Sequence, residues 1–238
     1  MKLQILNNIA KEGLDLLTEN KFELVSDQNN VSGIVLRSHD LHSLVINNSL
    51  HAIARAGAGT NNINVDDCSE KGVVVFNTPG ANANAVKEMV ICSLILSKRD
   101  LVSGNKNLDS IDTENLNDEE ISKKIENMKK EFVGEEIRGK KLSIIGLGAI
   151  GSMVAEQAIN LGMKVKAYDP GLTVDVALGL PSSLDKCDSM ESCLEEADYV
   201  SLHIPLNSST EGIINKDKLT LLNEDSVVIN FSRGGIVH

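Results

Sequence analysis

Three glycines, Gly146, Gly148 and Gly151, punctuate the segment Lys141-Leu-Ser-Ile-Ile-Gly-Leu-Gly-Ala-Ile-Gly-Ser. Asp169 closes the run Met163-Lys-Val-Lys-Ala-Tyr, about 20 residues further on. These residue types at this spacing suit one task, the holding of a diphosphate. The first glycine permits a tight turn, the second lets a pyrophosphate approach the backbone, and the third lets a helix pack close to a strand. The helix start offers unpaired N–H groups and the positive end of a dipole. A carboxylate at the tip of the next strand accepts hydrogen bonds from ribose hydroxyls and repels a 2′-phosphate, so Asp169 favours NAD over NADP. A glycine-rich turn alone also fits unrelated α/β domains. The strand before it, the helix after it and the acid beyond make the dinucleotide reading specific.

The 238-residue chain has room for one large or two small domains. Its hydrophobic content of 42% supports a core, and aromatics at 3% with no Trp make that core aliphatic. A net charge of −11 argues against a nucleic-acid partner, which would need a basic stripe. An anionic ligand must then be met by local cations. Cys68, Cys92, Cys187 and Cys193 form no CxxC pair, and no histidine sits at ligand spacing, so four reduced thiols and no metal are expected. The N-terminus is too short and polar for a signal peptide, and no stretch nears the roughly 18 apolar residues of a membrane span. A cytoplasmic protein without a membrane partner is the expectation.

These residues need elements to position them. Strands are expected at Leu3–Leu6, Phe22–Val25, Gly33–Leu36, Ile53–Ala56 and Val73–Phe76, with helices at Gly13–Glu19 and Ser43–Leu50. Asn84 to Leu101 carries Val86, Met89, Val90, Leu94 and Leu101 at helical spacing, with Ile91 and Ile95 widening the face, and reads as a helix buried on several sides. Ser103 to Glu136 is polar and acidic. It reads as a linker loop followed by a solvated helix near Glu119–Glu131. Beyond it, strands at Leu142–Ile145, Lys164–Tyr168, Tyr199–His203 and Val227–Phe231 alternate with helices at Ile150–Leu161, Met190–Ala197 and Lys216–Leu221. Ligands of such sheets bind beyond the strand carboxyl ends. Those ends are Asp169, His203-Ile-Pro205 and Phe231-Ser-Arg233.

Four groups of segments, in order along most of the chain, resemble those of the D-2-hydroxyacid dehydrogenases. They are Arg55-Ala-Gly-Ala-Gly-Thr-Asn-Asn-Ile-Asn-Val-Asp66; Asn77-Thr-Pro-Gly-Ala-Asn-Ala-Asn-Ala-Val-Lys-Glu88; Gly146 to Gly151 with Tyr168-Asp-Pro170; and His203 to Thr210 with Asn230-Phe-Ser-Arg-Gly-Gly-Ile-Val237. The resemblance implies an α/β protein with a Rossmann-type dinucleotide-binding domain, incomplete, plus a smaller flavodoxin-like α/β substrate domain. Residues 1–98 would bind substrate, 99–140 would be a linker and connecting helix, and 141–238 would bind NAD. It implies a nicotinamide lying in an interdomain cleft and a homodimer.

Site residues follow by the same resemblance. Arg233 would meet the substrate carboxylate and the carbonyl oxygen, since a guanidinium matches a carboxylate bidentately and keeps its charge. Arg37, with Ser38, and Arg55 would reach the anionic end of a phosphorylated 2-hydroxy acid, and Ala58-Gly59 would hold its carboxylate. Ala58, Ala149, Ile150, His203, Ile204, Pro205, Phe231, Ser232 and Arg233 line up with positions that touch the dinucleotide, beside Gly146, Gly148, Gly151 and Asp169. Each of the three arginines also reads as an ordinary surface charge, and His203 as a locally bonded strand-end histidine. The implied reaction is NAD-dependent oxidation of 3-phosphoglycerate to 3-phosphohydroxypyruvate. The alternatives are another 2-hydroxy acid, or a non-catalytic NAD(H)-binding module. The family's His–Glu pair would follow the Arg-Gly-Gly segment. Residues up to His238 hold no match for it, so this chain alone is expected to be inactive.

Overall fold

Short runs of Ile, Val, Leu and Ala become parallel strands here, because a strand covered on both faces needs apolar side chains in both directions. The computed structural model describes residues 1–26 and 30–238. They divide into two units, Met1–Asn82 and Ala83–His238.

The first unit contains β1 (Lys2–Ile5), α1 (Lys11–Glu19), β2 (Glu23–Val25), β3 (Gly33–Leu36), β4 (Ala52–Arg55), α2 (Val65–Glu70) and β5 (Val74–Asn77). Its five parallel strands lie in the order β2-β1-β3-β4-β5, the flavodoxin-like order. Leu36 and Ile53 are fully buried and anchor a core with Ile34, Leu41, Leu50 and Ile63.

The second unit opens with three helices, α3 (Ala83–Leu96), α4 (Leu101–Asp109) and α5 (Asp118–Lys129). It continues through β6 (Lys141–Ile145), α6 (Ala149–Asn160), β7 (Lys164–Tyr168), α7 (Val174–Leu178), β8 (Asp185–Lys186), α8 (Met190–Leu194), β9 (Tyr199–Leu202), α9 (Lys216–Leu219) and β10 (Val227–Asn230). The parallel order is β10-β9-β6-β7-β8. Counted within the unit and read from β8, this is 3-2-1-4-5, the Rossmann order, with its switch point between β6 and β9. Leu142, Ile144, Val154, Ala155 and Ala158 form the centre of its core. Among the described residues no helix is long and apolar enough to cross a membrane.

Three expectations change, and three elements appear that the sequence did not announce. Ser43–Leu50 is not helical. The Asn47 side-chain oxygen accepts from the N–H groups of Ser49 and Leu50 at 3.0 and 3.2 Å and from the Ser49 hydroxyl at 2.6 Å, a local alternative to the helix. The helix expected from Asn84 ends at Leu96, and Asp100 starts α4 by capping Ser103 N–H at 3.0 Å, so residues 103–109 are helix rather than loop. The resemblance assigns α3 to the first domain, out to residue 98, and its spacing predicts burial on several sides. Instead Val90 and Leu94 pack in the core of the second unit, with Val86 and Ile91 against it, and Met89 and Leu96 stay exposed. Finally, α2, α7 and β8 are too short to show a period.

α3 tests this packing. Leu94, with no exposed surface, is expected to cost about 2–5 kcal/mol on truncation to Ala. Leu101→Ala, at a side chain 61% exposed, should stay within about 1 kcal/mol. Urea unfolding of both variants reads the difference, and equal losses would contradict the placement of α3.

Candidate functional site

β6 delivers the chain to the switch point, where it must turn sharply into α6. Gly146 makes the turn with a φ of +98°, and a Cβ there would stand 2.7 Å from the carbonyl oxygen of His203 and 2.9 Å from Ile204 Cγ2. A Cβ on Gly151 would collide with the Gly146 carbonyl. Both glycines are therefore demanded by the chain's own packing. Gly148 is different: its φ is −69°, and no protein atom lies within 4 Å of where its Cβ would be. Nothing inside the protein requires glycine at that position.

Gly148 is also the N-cap of α6, and no side chain caps the helix. The first turn, Ala149-Ile150-Gly151, thus presents backbone N–H groups without a side-chain acceptor. Asp169 follows β7. Its carboxylate accepts from Leu147 N–H at 2.7 Å and Gly171 N–H at 2.8 Å, which fixes it against the glycine turn. An ionised carboxylate has about four lone-pair sites, so acceptor capacity remains for a diol.

The neighbouring strand ends close around this turn. His203 follows β9, and its Nε2 lies 2.8 Å from the hydroxyl of fully buried Ser201. Burial holds the His203 imidazole well below its usual range, at about 4, so it is neutral at pH 7. Ile204 packs on Gly146, and the Pro205 carbonyl accepts from the Thr210 hydroxyl at 2.6 Å. After β10, the Ser232 hydroxyl donates to the Leu202 carbonyl at 2.5 Å and ties the two strand ends together. Asn230 braces this bend, accepting from Ser232 N–H at 2.9 Å and donating to the Arg233 carbonyl at 2.7 Å. Phe231 is 42% exposed. Arg233 is exposed, and its guanidinium donates to the Ser232 carbonyl at 2.8 Å. Thus Gly146, Gly148, Ala149, Ile150, Gly151, Asp169, His203, Ile204, Pro205, Phe231, Ser232 and Arg233 all sit at the carboxyl end of one sheet.

The remaining predicted residues lie at the carboxyl end of the other sheet. Arg37 follows β3 and Arg55 ends β4. Together with Asn8, Gly57, Thr78 and Asn82 they line a depression of about 360 Å³. Arg37 and Ser38 also line an adjoining hollow with Asn7 and Asn8. Among the described residues neither arginine forms an ion pair, and Arg55 Nε is buried without a hydrogen-bond partner. The loop with Ala58 and Gly59 is pinned from β5: Asn77 donates to the Ala58 carbonyl at 2.8 Å, and Thr78 N–H to the Gly57 carbonyl at 3.0 Å. Asn77 gave no sequence signal of this role, nor did Gly57, whose absent Cβ leaves room for the Arg55 guanidinium.

Residues 105–238 match the family model described as the NAD binding domain of D-isomer specific 2-hydroxyacid dehydrogenases. The chain belongs to the D-2-hydroxyacid dehydrogenase family. A hydroxypyruvate reductase from Thermotoga maritima is 34% identical over 98% of this chain and 71% of its own length. A D-3-phosphoglycerate dehydrogenase from Bacillus subtilis is 30% identical over 99% of this chain, which spans only 44% of that protein. A solved structure of NAD+-bound 3-phosphoglycerate dehydrogenase from Entamoeba histolytica superposes with a TM-score of 0.72 at 26% identity, over 100% of this chain and 73% of that one. NAD is the cofactor of this D-2-hydroxyacid dehydrogenase family member, and the open Gly148, the uncapped α6 and the fixed Asp169 fit it.

The contrast among the glycines is measurable. Gly148→Ala is expected to keep unfolding stability within about 1 kcal/mol yet weaken NADH binding about tenfold or more. Gly151→Ala should destabilise the fold itself, by about 2 kcal/mol or more, because its Cβ meets backbone. Urea unfolding and NADH fluorescence titration read both effects; native NADH affinity in Gly148→Ala would remove the diphosphate from this turn.

His203 gives a pH signature. Its folded value lies below the unfolded one, so the unfolded chain takes up a proton that the native state refuses. The stability that neutrality preserves is full above about pH 6.5 and is lost as pH falls toward about 4. Native protein is expected to lose about 2–3 kcal/mol more than His203→Asn over that window, read from urea midpoints. Parallel curves would refute the burial effect.

Proposed function

We propose that this protein oxidises 3-phosphoglycerate to 3-phosphohydroxypyruvate with NAD, the first step of serine biosynthesis. One observation carries the choice of substrate: Arg37 and Arg55 line a single depression, without an ion pair among the described residues, in a chain of net charge −11. A buried guanidinium N–H without an acceptor is costly, and a bound phosphate supplies the acceptor that Arg55 lacks.

The roles follow from donor chemistry. The N–H groups at the start of α6 hold the diphosphate, and Asp169 accepts from the adenosine ribose. Bound NAD supplies the hydride acceptor. Arg233 pairs with the substrate carboxylate and stabilises charge on the C2 oxygen as its bond order changes. Arg37 and Arg55 take the phosphate, with Ser38 and the Ala58-Gly59 loop beside them. His203 at about 4 is too weak a base at neutral pH to take the hydroxyl proton, and we do not assign it that step. A homodimer belongs to the same reading. Leu101, Val102 and Leu108, exposed along α4, support it.

A second reading has one observation in its favour: the relative with the highest identity among those above, 34%, is a hydroxypyruvate reductase, which points to an unphosphorylated acid. Rates of NADH formation, measured on a chain extended through the family's His–Glu pair so that the hydroxyl proton has an acceptor, separate the two. With 3-phosphoglycerate, glycerate and D-lactate compared, the expected kcat/KM favours the phosphorylated acid by about 100-fold. Arg37→Ala or Arg55→Ala is expected to erase most of that preference, and Arg233→Lys to lower kcat about tenfold or more although charge is kept. Asp169→Ala should relax the discrimination against NADP. A faster rate with an unphosphorylated acid would overturn the proposal.

A further inference from the structure

The turn that carries Arg37 is held in an unusual way. Asn7 follows β1 with a φ of +67°, a left-handed conformation that Asn adopts more readily than most residues. There its side-chain oxygen faces three consecutive backbone N–H groups, those of Arg37 at 3.4 Å, Ser38 at 3.0 Å and His39 at 2.7 Å. On the other side, the Asn62 side-chain amide donates to the carbonyls of Arg37 at 3.4 Å and His39 at 2.6 Å. Leu41 N–H returns to the Asn62 carbonyl at 2.8 Å. Two asparagines, distant in sequence, thus satisfy the backbone of one three-residue turn from both sides.

Successive N–H groups that converge in this way form a concavity suited to an anion. A phosphate entering the Arg37 hollow could in principle bind those N–H groups and ignore the guanidinium. The Asn7 amide oxygen already fills the concavity, and it does so without adding negative charge near the arginines. The Ser38 backbone N–H is consumed in the same contact, so the turn can offer a ligand its side chains and little else.

We propose that Asn7 is a positioning residue for the anion subsite. By plugging the turn's N–H groups, with Asn62 bracing the opposite side, it holds Arg37 in the geometry that receives the substrate's phosphate and leaves the guanidinium as the turn's donor. The proposal rests on the assignment of Arg37 to that phosphate. It adds a specificity-determining role for a residue that carries no charge. Preorganisation is the physical basis: a side chain carried on a fixed turn loses less freedom on binding than one carried on a mobile turn.

Glycine isolates the side chain, because it adopts the +67° backbone without strain. The measurement is isothermal calorimetry of 3-phosphoglycerate and glycerate, which differ only in the phosphate, on the whole chain with NADH present. Asn7→Gly is expected to weaken 3-phosphoglycerate about tenfold and leave glycerate within twofold. In an Arg37→Ala background, the same Asn7→Gly change should alter 3-phosphoglycerate affinity by less than about twofold, because the group it positions is gone. A merely structural role would instead lower affinity for both acids, and by the same factor in both backgrounds. Asn62→Ala probes the clamp from its other side and is expected to repeat the pattern should Asn7→Gly fold poorly. An unchanged 3-phosphoglycerate affinity in folded Asn7→Gly overturns the proposal, as does tighter binding through the vacated N–H groups. If Arg37→Ala alone leaves 3-phosphoglycerate binding at the native value, the assignment of Arg37 fails first and the role of Asn7 falls with it.

Discussion

A carbonyl oxygen, that of His203, lies so close to the α-carbon of Gly146 that no side chain fits between them, and much of the second unit is arranged around that approach. β6 and β9 are neighbours at the point where strand order reverses. The chain leaving β6 must clear the chain leaving β9 within a single turn, and only a residue without Cβ does so at φ +98°. Because the turn is that tight, α6 begins at the carboxyl end of the sheet with no side chain capping its first N–H groups. Because Gly151 then passes against the Gly146 carbonyl, the helix lies down on the strand and buries Val154, Ala155 and Ala158. Burial of the His203 ring at the same strand end keeps it neutral. Ligand-binding geometry and core packing are here one constraint, which is why Gly148, free of it, stands out.

The first unit solves its positioning problem by other means. Side-chain amides organise its strand-end loops: Asn77 holds the Ala58 carbonyl, and Asn7 and Asn62 hold the turn after β3. Amides suit this work in a strongly anionic chain. They supply donors and acceptors for exposed backbone without adding negative charge beside Arg37 and Arg55. Carboxylates at the same positions would partly neutralise the arginines they were meant to place.

What could be read in the residues follows from how local each signal is. Parallel strands buried on both faces declare themselves as aliphatic runs, so β3, β6, β7 and β9 were legible to within a residue or two. The glycine turn was legible because its three demands fall within six residues. Ser43–Leu50 misled because its apolar spacing is helical while Asn47 and Ser49 bond locally and stop the helix; composition weighs the first signal and not the second. The side of the domain boundary on which α3 falls was not legible either, since an apolar stripe shows that a helix is buried but not against what. The asparagine clamp was invisible for a similar reason. Asn in a loop reads as a generic turn former, and Asn7 acts on a turn some 30 residues away in sequence, across a sheet whose strand order must first be known.

The two units therefore carry different kinds of information. On the proposed reading the diphosphate end of the cofactor is met largely by backbone, through glycines, a helix start and one carboxylate, and backbone recognition tolerates wide change in the surrounding side chains. That fits a family model matching residues 105–238 while full-length relatives share only about a third of their residues with this chain. The arginine-lined depression is met by side chains, and a few substitutions there would change what it accepts without disturbing the sheet. Relatives named for hydroxypyruvate and for 3-phosphoglycerate can then share one frame. On this view the substrate of the present chain is decided less by its overall similarity to either relative than by whether Arg37 is held still.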